Sequence, residues 1–148
     1  MTDWLLDTNV LSELRRPKPD RNVLAFIASQ PLGRLYVSSV TFAEIRFGIE
    51  RLSDAGLRSE LTDWLTNRVR PMFHQRVLDV SEDVMLRWRL LVEDSRKAGH
   101  TFSQPDLIIA ATALHHGMTV ASRDLKGFEK ARVPAINPWS PIAPIQAP

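Results

Sequence analysis

Trp4-Leu-Leu-Asp-Thr-Asn-Val-Leu-Ser-Glu-Leu14 stands near the start of the chain. Three apolar residues run into an acid, Asp7, and a short helical pattern over Asn9–Leu14 follows at once, stopped by Pro17. A strand that hands over to a helix within one residue is the opening of a β-α unit. Asp20 is placed to cap a second helix through Ile27, with Val23, Leu24 and Ile27 on one face. Leu35-Tyr-Val37 is the next strand, and a helix from about Thr41 to Leu52 follows it. A further helix spans Ala55 to Asn67, with Leu57, Leu61, Trp64 and Leu65 at helical spacing.

Val77 to Val80 reads as a short strand or an extended connector. Ser81 caps a long helix with Glu82 and Asp83 in its first turn, and Gly99 lies just past its end. Ser103 precedes a helix from Asp106 to His116 that is apolar nearly all round and closes at Gly117. Thr119-Val-Ala121 and Val133–Ile136 are the last strands. Strands alternating with helices call for a parallel sheet covered on both faces, a three-layer α/β/α architecture. Residues 1–140 form one domain of that kind, and recurrent proline makes 141–148 a tail.

The 148 residues suit one domain with a core of its own. A 44% apolar and 24% charged composition is that of an ordinary globular chain. The longest apolar run, Leu107 to Leu114, is about half of what a membrane span needs, and the N-terminus does not read as a secretory signal. No cysteine is present, which removes disulfides and thiolate metal sites and fits the cytoplasm. The net charge of +2 announces no nucleic-acid partner by itself. Basic residues gather at Arg15-Arg16-Pro17-Lys18, at Arg68, Arg70 and Arg76, and at Arg123, Lys126, Lys130 and Arg132; each group reads first as a solvated face.

In open parallel sheets, ligands bind outside the carboxyl ends of the strands, where connections leave for opposite faces. Asp7 and Asp124 follow strands there, while Glu44 and Asp106 stand at helix starts expected above the same edge. Each acid also has a purely local explanation. Thr41-Phe-Ala-Glu44 and Ser103-Gln-Pro-Asp106 have the form of capping boxes, Asp7 can cap the helix after it, and Asp124 can close a turn. Capping needs no common destination for four acids; a metal site does. Glu13, Glu60, Asp63, Glu93 and Asp94 fall on helix bodies and read as solvated. Clustered carboxylates repel and one would take up a proton near neutral pH, a conflict that a divalent cation removes. An all-oxygen donor set favours Mg²⁺ or Mn²⁺ over zinc, and the four histidines show no ligand spacing. Phosphate-binding glycine loops and a serine-hydrolase elbow are missing.

Leu5-Leu-Asp-Thr-Asn-Val-Leu-Ser-Glu13, Ser39-Val-Thr-Phe-Ala-Glu-Ile-Arg-Phe-Gly48, Asp106-Leu-Ile-Ile-Ala-Ala-Thr-Ala113 and Val120-Ala-Ser-Arg-Asp124, in that order, resemble the PIN-domain ribonucleases. With Asn137-Pro-Trp139 they look like the toxins of VapBC-type toxin–antitoxin pairs, in the FitB-like branch. The resemblance implies a PIN-like fold and Mg²⁺- or Mn²⁺-dependent cleavage of RNA. It further implies inhibition by a cognate antitoxin, operator DNA bound only through that antitoxin, and a homodimer, for which the exposed positions of Ala55–Asn67 and Ser81–Ala98 are candidates. Carried over, Asp7, Glu44, Asp106 and Asp124 are the acidic positions, with Asp7 and Asp106 the favoured direct ligands. Thr8 or Asn9 would orient ligands or water. Arg46, Arg123 and Lys126, beside acids in sequence, are candidate phosphate contacts. A fifth acid of some relatives has no clear match. A housekeeping PIN-type nuclease and a non-catalytic module gripping a basic peptide remain as alternatives.

Overall fold

In the computed structural model, residues 1–141 are described; of the expected tail, 142–148 lie outside the described residues. The chain runs β1 (Trp4–Leu6), α1 (Thr8–Leu14), α2 (Arg21–Ser29), β2 (Leu35–Ser38), α3 (Ser39–Glu50) and α4 (Ala55–Trp64). A wide turn over Leu65–Val69 carries α4 into α5 (Arg70–Met72), followed by β3 (Val77–Leu78), α6 (Glu82–Ala98) and α7 (Gln104–His116). β4 (Thr119–Ala121), α8 (Leu125–Lys130) and β5 (Ala135–Ile136) complete it.

The five strands pair in the order β3-β2-β1-β4-β5, all parallel. Leu5 pairs with Tyr36 on one side and Val120 on the other, so β1 is central. Strand alternation then splits its side chains between two cores. Trp4 and Leu6 join Val10, Val23, Phe26, Phe42 and Phe73 on one face, whereas Leu5 joins Ile109, Ala113, Val120 and Phe128 on the other. The expected three-layer α/β/α arrangement is what forms. α7 explains its own composition: lying between the sheet and α6, it buries Leu107, Ile109, Ala110, Ala111 and Ala113. Thr112 is tolerated there because its hydroxyl donates to the Ile108 carbonyl at 2.7 Å.

Several local expectations are corrected. α2 buries Val23 and Phe26 and leaves Leu24 43% exposed, so its inward face is rotated from the expected one. α3 starts two residues before Thr41, capped by the Ser38 hydroxyl accepting from Val40 N. The helix expected to end at Asn67 continues through the wide turn, where Arg70 N reaches the Leu65 carbonyl. Pro71 gives the reason, since it lacks an N–H and its ring would strike the carbonyl four residues back in a regular helix. The last strand is shorter than expected, and α8 has no counterpart among the expected elements. Arg76, one of the basic cluster, is structural: its guanidinium donates to the Leu32, Leu35 and Met72 carbonyls at 2.6, 2.7 and 2.5 Å and holds the edge strand in place.

Candidate active site

The strand order reverses at β1: the chain proceeds outward to β2 and β3, then returns to the other side of β1 with β4 and β5. Connections leave β1 and β4 for opposite faces, opening a crevice at their carboxyl ends. A cleft of about 880 Å³ lies there, and Asp7, Glu44 and Asp106 from three separate segments line it.

Asp7 directly follows β1, its amide still bonded to the Ala121 carbonyl at 2.9 Å. Its side chain is 5% exposed, and both oxygens are held. Oδ1 accepts from Thr8 N at 2.8 Å, and Oδ2 accepts from the Ser122 hydroxyl at 2.7 Å. Ser122 is the hub of the floor. Fully buried at the end of β4, its hydroxyl also accepts from Asn9 Nδ2 at 3.2 Å and from Asp124 N at 3.0 Å. Asn9 Oδ1 in turn accepts from Arg123 N at 3.3 Å. Asn9 is thus linked to Asp7 through Ser122, and the Thr8 hydroxyl reaches Thr41 at 3.4 Å.

The capping alternatives separate cleanly. Because Ser38 caps α3, Thr41 is not a cap, and Glu44 has no capping duty; it is exposed on the cleft wall. Ser103 does cap α7, accepting from Asp106 N, but the Asp106 carboxylate makes no hydrogen bond among the described residues. Asp124 caps α8, accepting from Gly127 N at 3.4 Å. Asp124 lies outside the main cleft, in a small hollow that it shares with Asp106.

Burial is the main reason the Asp7 carboxyl is pushed above its ordinary 3.8, and the nearby charges of Asp106 and Asp124 act in the same direction. The Ser122 and Thr8 hydrogen bonds pull it back in part. The native chain therefore holds the Asp7 proton to higher pH than the unfolded chain does. Between 3.8 and the raised value stability falls as pH rises, and above that window the full cost is present. Relative to wild type, Asp7→Asn should gain stability as pH rises from 3.8 through the raised native value and keep that gain at higher pH, a trend read from paired thermal melts in chelator.

Such an environment suits a cation. The cleft offers carboxylate and hydroxyl oxygens and no histidine, and a divalent ion would relieve the repulsion felt at Asp7. Among the described residues, no three acidic or imidazole groups are already drawn together as a metal cage.

The PIN domain family model matches residues 4–134, from the first residue of β1 to the approach to β5. The chain belongs to the PIN-domain family. It is 40% identical over 137 residues to a protein named VapC ribonuclease Y4jK of Sinorhizobium fredii, covering 93% of this chain and 98% of the relative. Toxin FitB of Neisseria gonorrhoeae is 37% identical over 135 residues, 91% of this chain and 97% of that one. The crystal structure of FitAcB from the same organism superposes with a TM-score of 0.86 at 37% identity, covering 92% and 98%. The resemblance read from the short segments is borne out.

Within this PIN domain, not every expected contact reaches the cleft. Arg123 lines it, but Arg46 lines a separate groove with Glu50 and Arg70, and Lys126 is exposed on α8 outside the cleft. Glu13, read as solvated, is 5% exposed and lines the cleft, with Arg16 3.4 Å away. Ser122 was missed as well, although its place between a buried strand and Asp124 was a usable signal.

Proposed function

We propose that this chain is an endoribonuclease that hydrolyses RNA phosphodiester bonds with Mg²⁺ or Mn²⁺, and is the toxin of a type II toxin–antitoxin pair. One observation carries the reading: acids from β1, α3 and α7 line a single cleft at the strand-order reversal, with Asp124 close enough to act on Asp7. The names of the similar proteins, a VapC ribonuclease and a FitB toxin, supply the substrate class and the biological role.

Asp7 and Asp106 would hold the cation directly, with Glu44 and Asp124 holding it through water or serving a second ion. A divalent ion there would make its water more acidic and stabilise charge building on the phosphoryl oxygens. The chain supplies everything else. Ser122 and Thr8 fix the Asp7 carboxylate, and Asn9 fixes Ser122. Arg15, exposed at the cleft, offers charge for phosphate. Hydrolysis by water needs no 2′-hydroxyl, so RNA is chosen by the kinship and not by the carboxylates.

Ser122→Ala leaves one oxygen of a buried carboxylate without a donor and takes away the acceptor of Asn9 Nδ2. Cleavage should fall by about 10- to 100-fold, as when an orienting partner of a metal ligand is lost. The acid limb of the pH–rate profile should move upward, because a carboxylate that loses a donor is protonated more readily. An unchanged rate and profile would remove Ser122 from the mechanism.

A cognate antitoxin, with operator DNA contacted only through it, is part of the same proposal, as is a homodimer. Leu86 and Leu90, 60% and 55% exposed on α6, are an apolar surface available to a second copy. Expression in a bacterial host should arrest growth, and Asp7→Asn or co-expression of the adjacent antitoxin gene should relieve it. Arrest that persists with Asp7→Asn rules out a nuclease toxin, whereas RNA cleavage without arrest indicates a housekeeping enzyme.

A further inference from the structure

Asn137-Pro-Trp139 is built into the mouth of the cleft. Trp139 N donates to Asn137 Oδ1 at 2.9 Å, its carbonyl accepts from Asn22 Nδ2 at 2.8 Å, and Pro138 is buried. The indole packs partly against the core that contains Trp4 and Leu6, is half-buried, and lines the same cleft as Asp7 and Asp106. Over it lies the Arg123 guanidinium, its central carbon 5.0 Å from the ring centre. Arg123 makes no ion pair among the described residues. Its own backbone is tied to Asn9, and it sits between Ser122 and Asp124, so the segment that sets the acids also sets this cation.

We propose that Arg123 and Trp139 together form a stacking subsite for an unpaired nucleobase of the RNA strand, next to the acidic floor. This deepens the ribonuclease reading and rests on it. A phosphate contact alone would need the charge but not the indole behind it. A planar guanidinium backed by an aromatic ring is instead the surface on which single-stranded bases stack, and its N–H edge stays free for a flanking phosphate. Stacking accepts every base, so the subsite selects single-stranded over duplex RNA without reading sequence.

The test is binding, measured by fluorescence anisotropy in an Asp106→Asn background to silence cleavage. Two labelled RNA strands of equal length are compared, one with bases and one abasic. Arg123→Lys keeps the charge and loses the plane; it should weaken binding of the base-bearing strand by about tenfold, the scale of one stacked base, and leave the abasic strand within about twofold. Trp139→Ala should do the same and Trp139→Phe should restore most of the loss, which separates stacking from a folding defect. Equal losses on both strands would show a phosphate contact only, and no loss on either would show an idle pair; each overturns the subsite. Wild-type protein that neither binds nor cleaves single-stranded RNA refutes the ribonuclease reading itself, a different outcome from intact cleavage with an indifferent Arg123.

Discussion

Asp106→Asn should remove RNA cleavage by more than about a hundredfold, since loss of even an outer-shell partner of a metal costs up to that much. The fold should survive. The Asp106 carboxylate makes no hydrogen bond among the described residues, and α7 is held by Leu107, Ile109 and Ala110 below it and by the Ser103 cap above. Two small effects on stability oppose each other. A negative charge in the first turn of a helix is worth about 0.3–1 kcal/mol and is lost, while the repulsion that Asp106 exerts on buried Asp7 is relieved. A melting temperature near that of wild type, together with absent cleavage, is the expected pair of results. Cleavage within tenfold of wild type would take Asp106 out of the site.

Phe73→Ala should cost about 3–5 kcal/mol, the usual range for emptying a buried phenylalanine position. Phe73 is fully buried where α5 ends, in the core built by Leu61, Leu65, Val69 and Phe42. Arg76 lies against its ring and at the same time grips three carbonyls, so collapse of this corner would also loosen β3. Against a total stability of about 5–15 kcal/mol the loss is a large fraction. The acids stand on other elements, so the molecules that remain folded at low temperature should cleave normally. Urea unfolding measures the first quantity and activity per folded molecule the second. A cost below about 1 kcal/mol would mean the corner repacks around the gap.

These sites differ in how plainly the sequence shows them. β1 and β4 were legible because short apolar runs end on acids or turns, and α6 because a serine cap, two first-turn acids and a terminal glycine bracket it. Gly99 takes φ 72°, the left-handed conformation that such a terminus favours. α8 has six residues, one of them Gly127, too few for a periodic pattern to show. In α2, Val23 with either Leu24 or Phe26 makes an acceptable apolar stripe, and only packing against Trp4, edge to face with Phe26 at 5.1 Å, chooses.

The four acids were legible as candidates, but their local duties were not. Ser38 and Thr41 compete to cap α3, and the choice decides whether Glu44 is occupied or free. Nearness in sequence also misled. Two helical residues on from Glu44, Arg46 points about 200° around the axis and so faces another groove. Lys126 is exposed on the first turn of α8 and does not line the cleft, although it is two residues from Asp124. Glu13 illustrates the converse, since nothing on a seven-residue helix marks its one acid as buried in the cleft wall.

If these carboxylates make a metal-dependent ribonuclease, RNA cleavage requires both the divalent ion and Asp7. Labelled single-stranded RNA is incubated with purified protein in Mg²⁺ and in excess chelator, beside Asp7→Asn in Mg²⁺. Cleavage by wild type in Mg²⁺, with intact RNA in chelator and with Asp7→Asn, is the predicted result. Equal cleavage in chelator, or undiminished cleavage by Asp7→Asn, would contradict it.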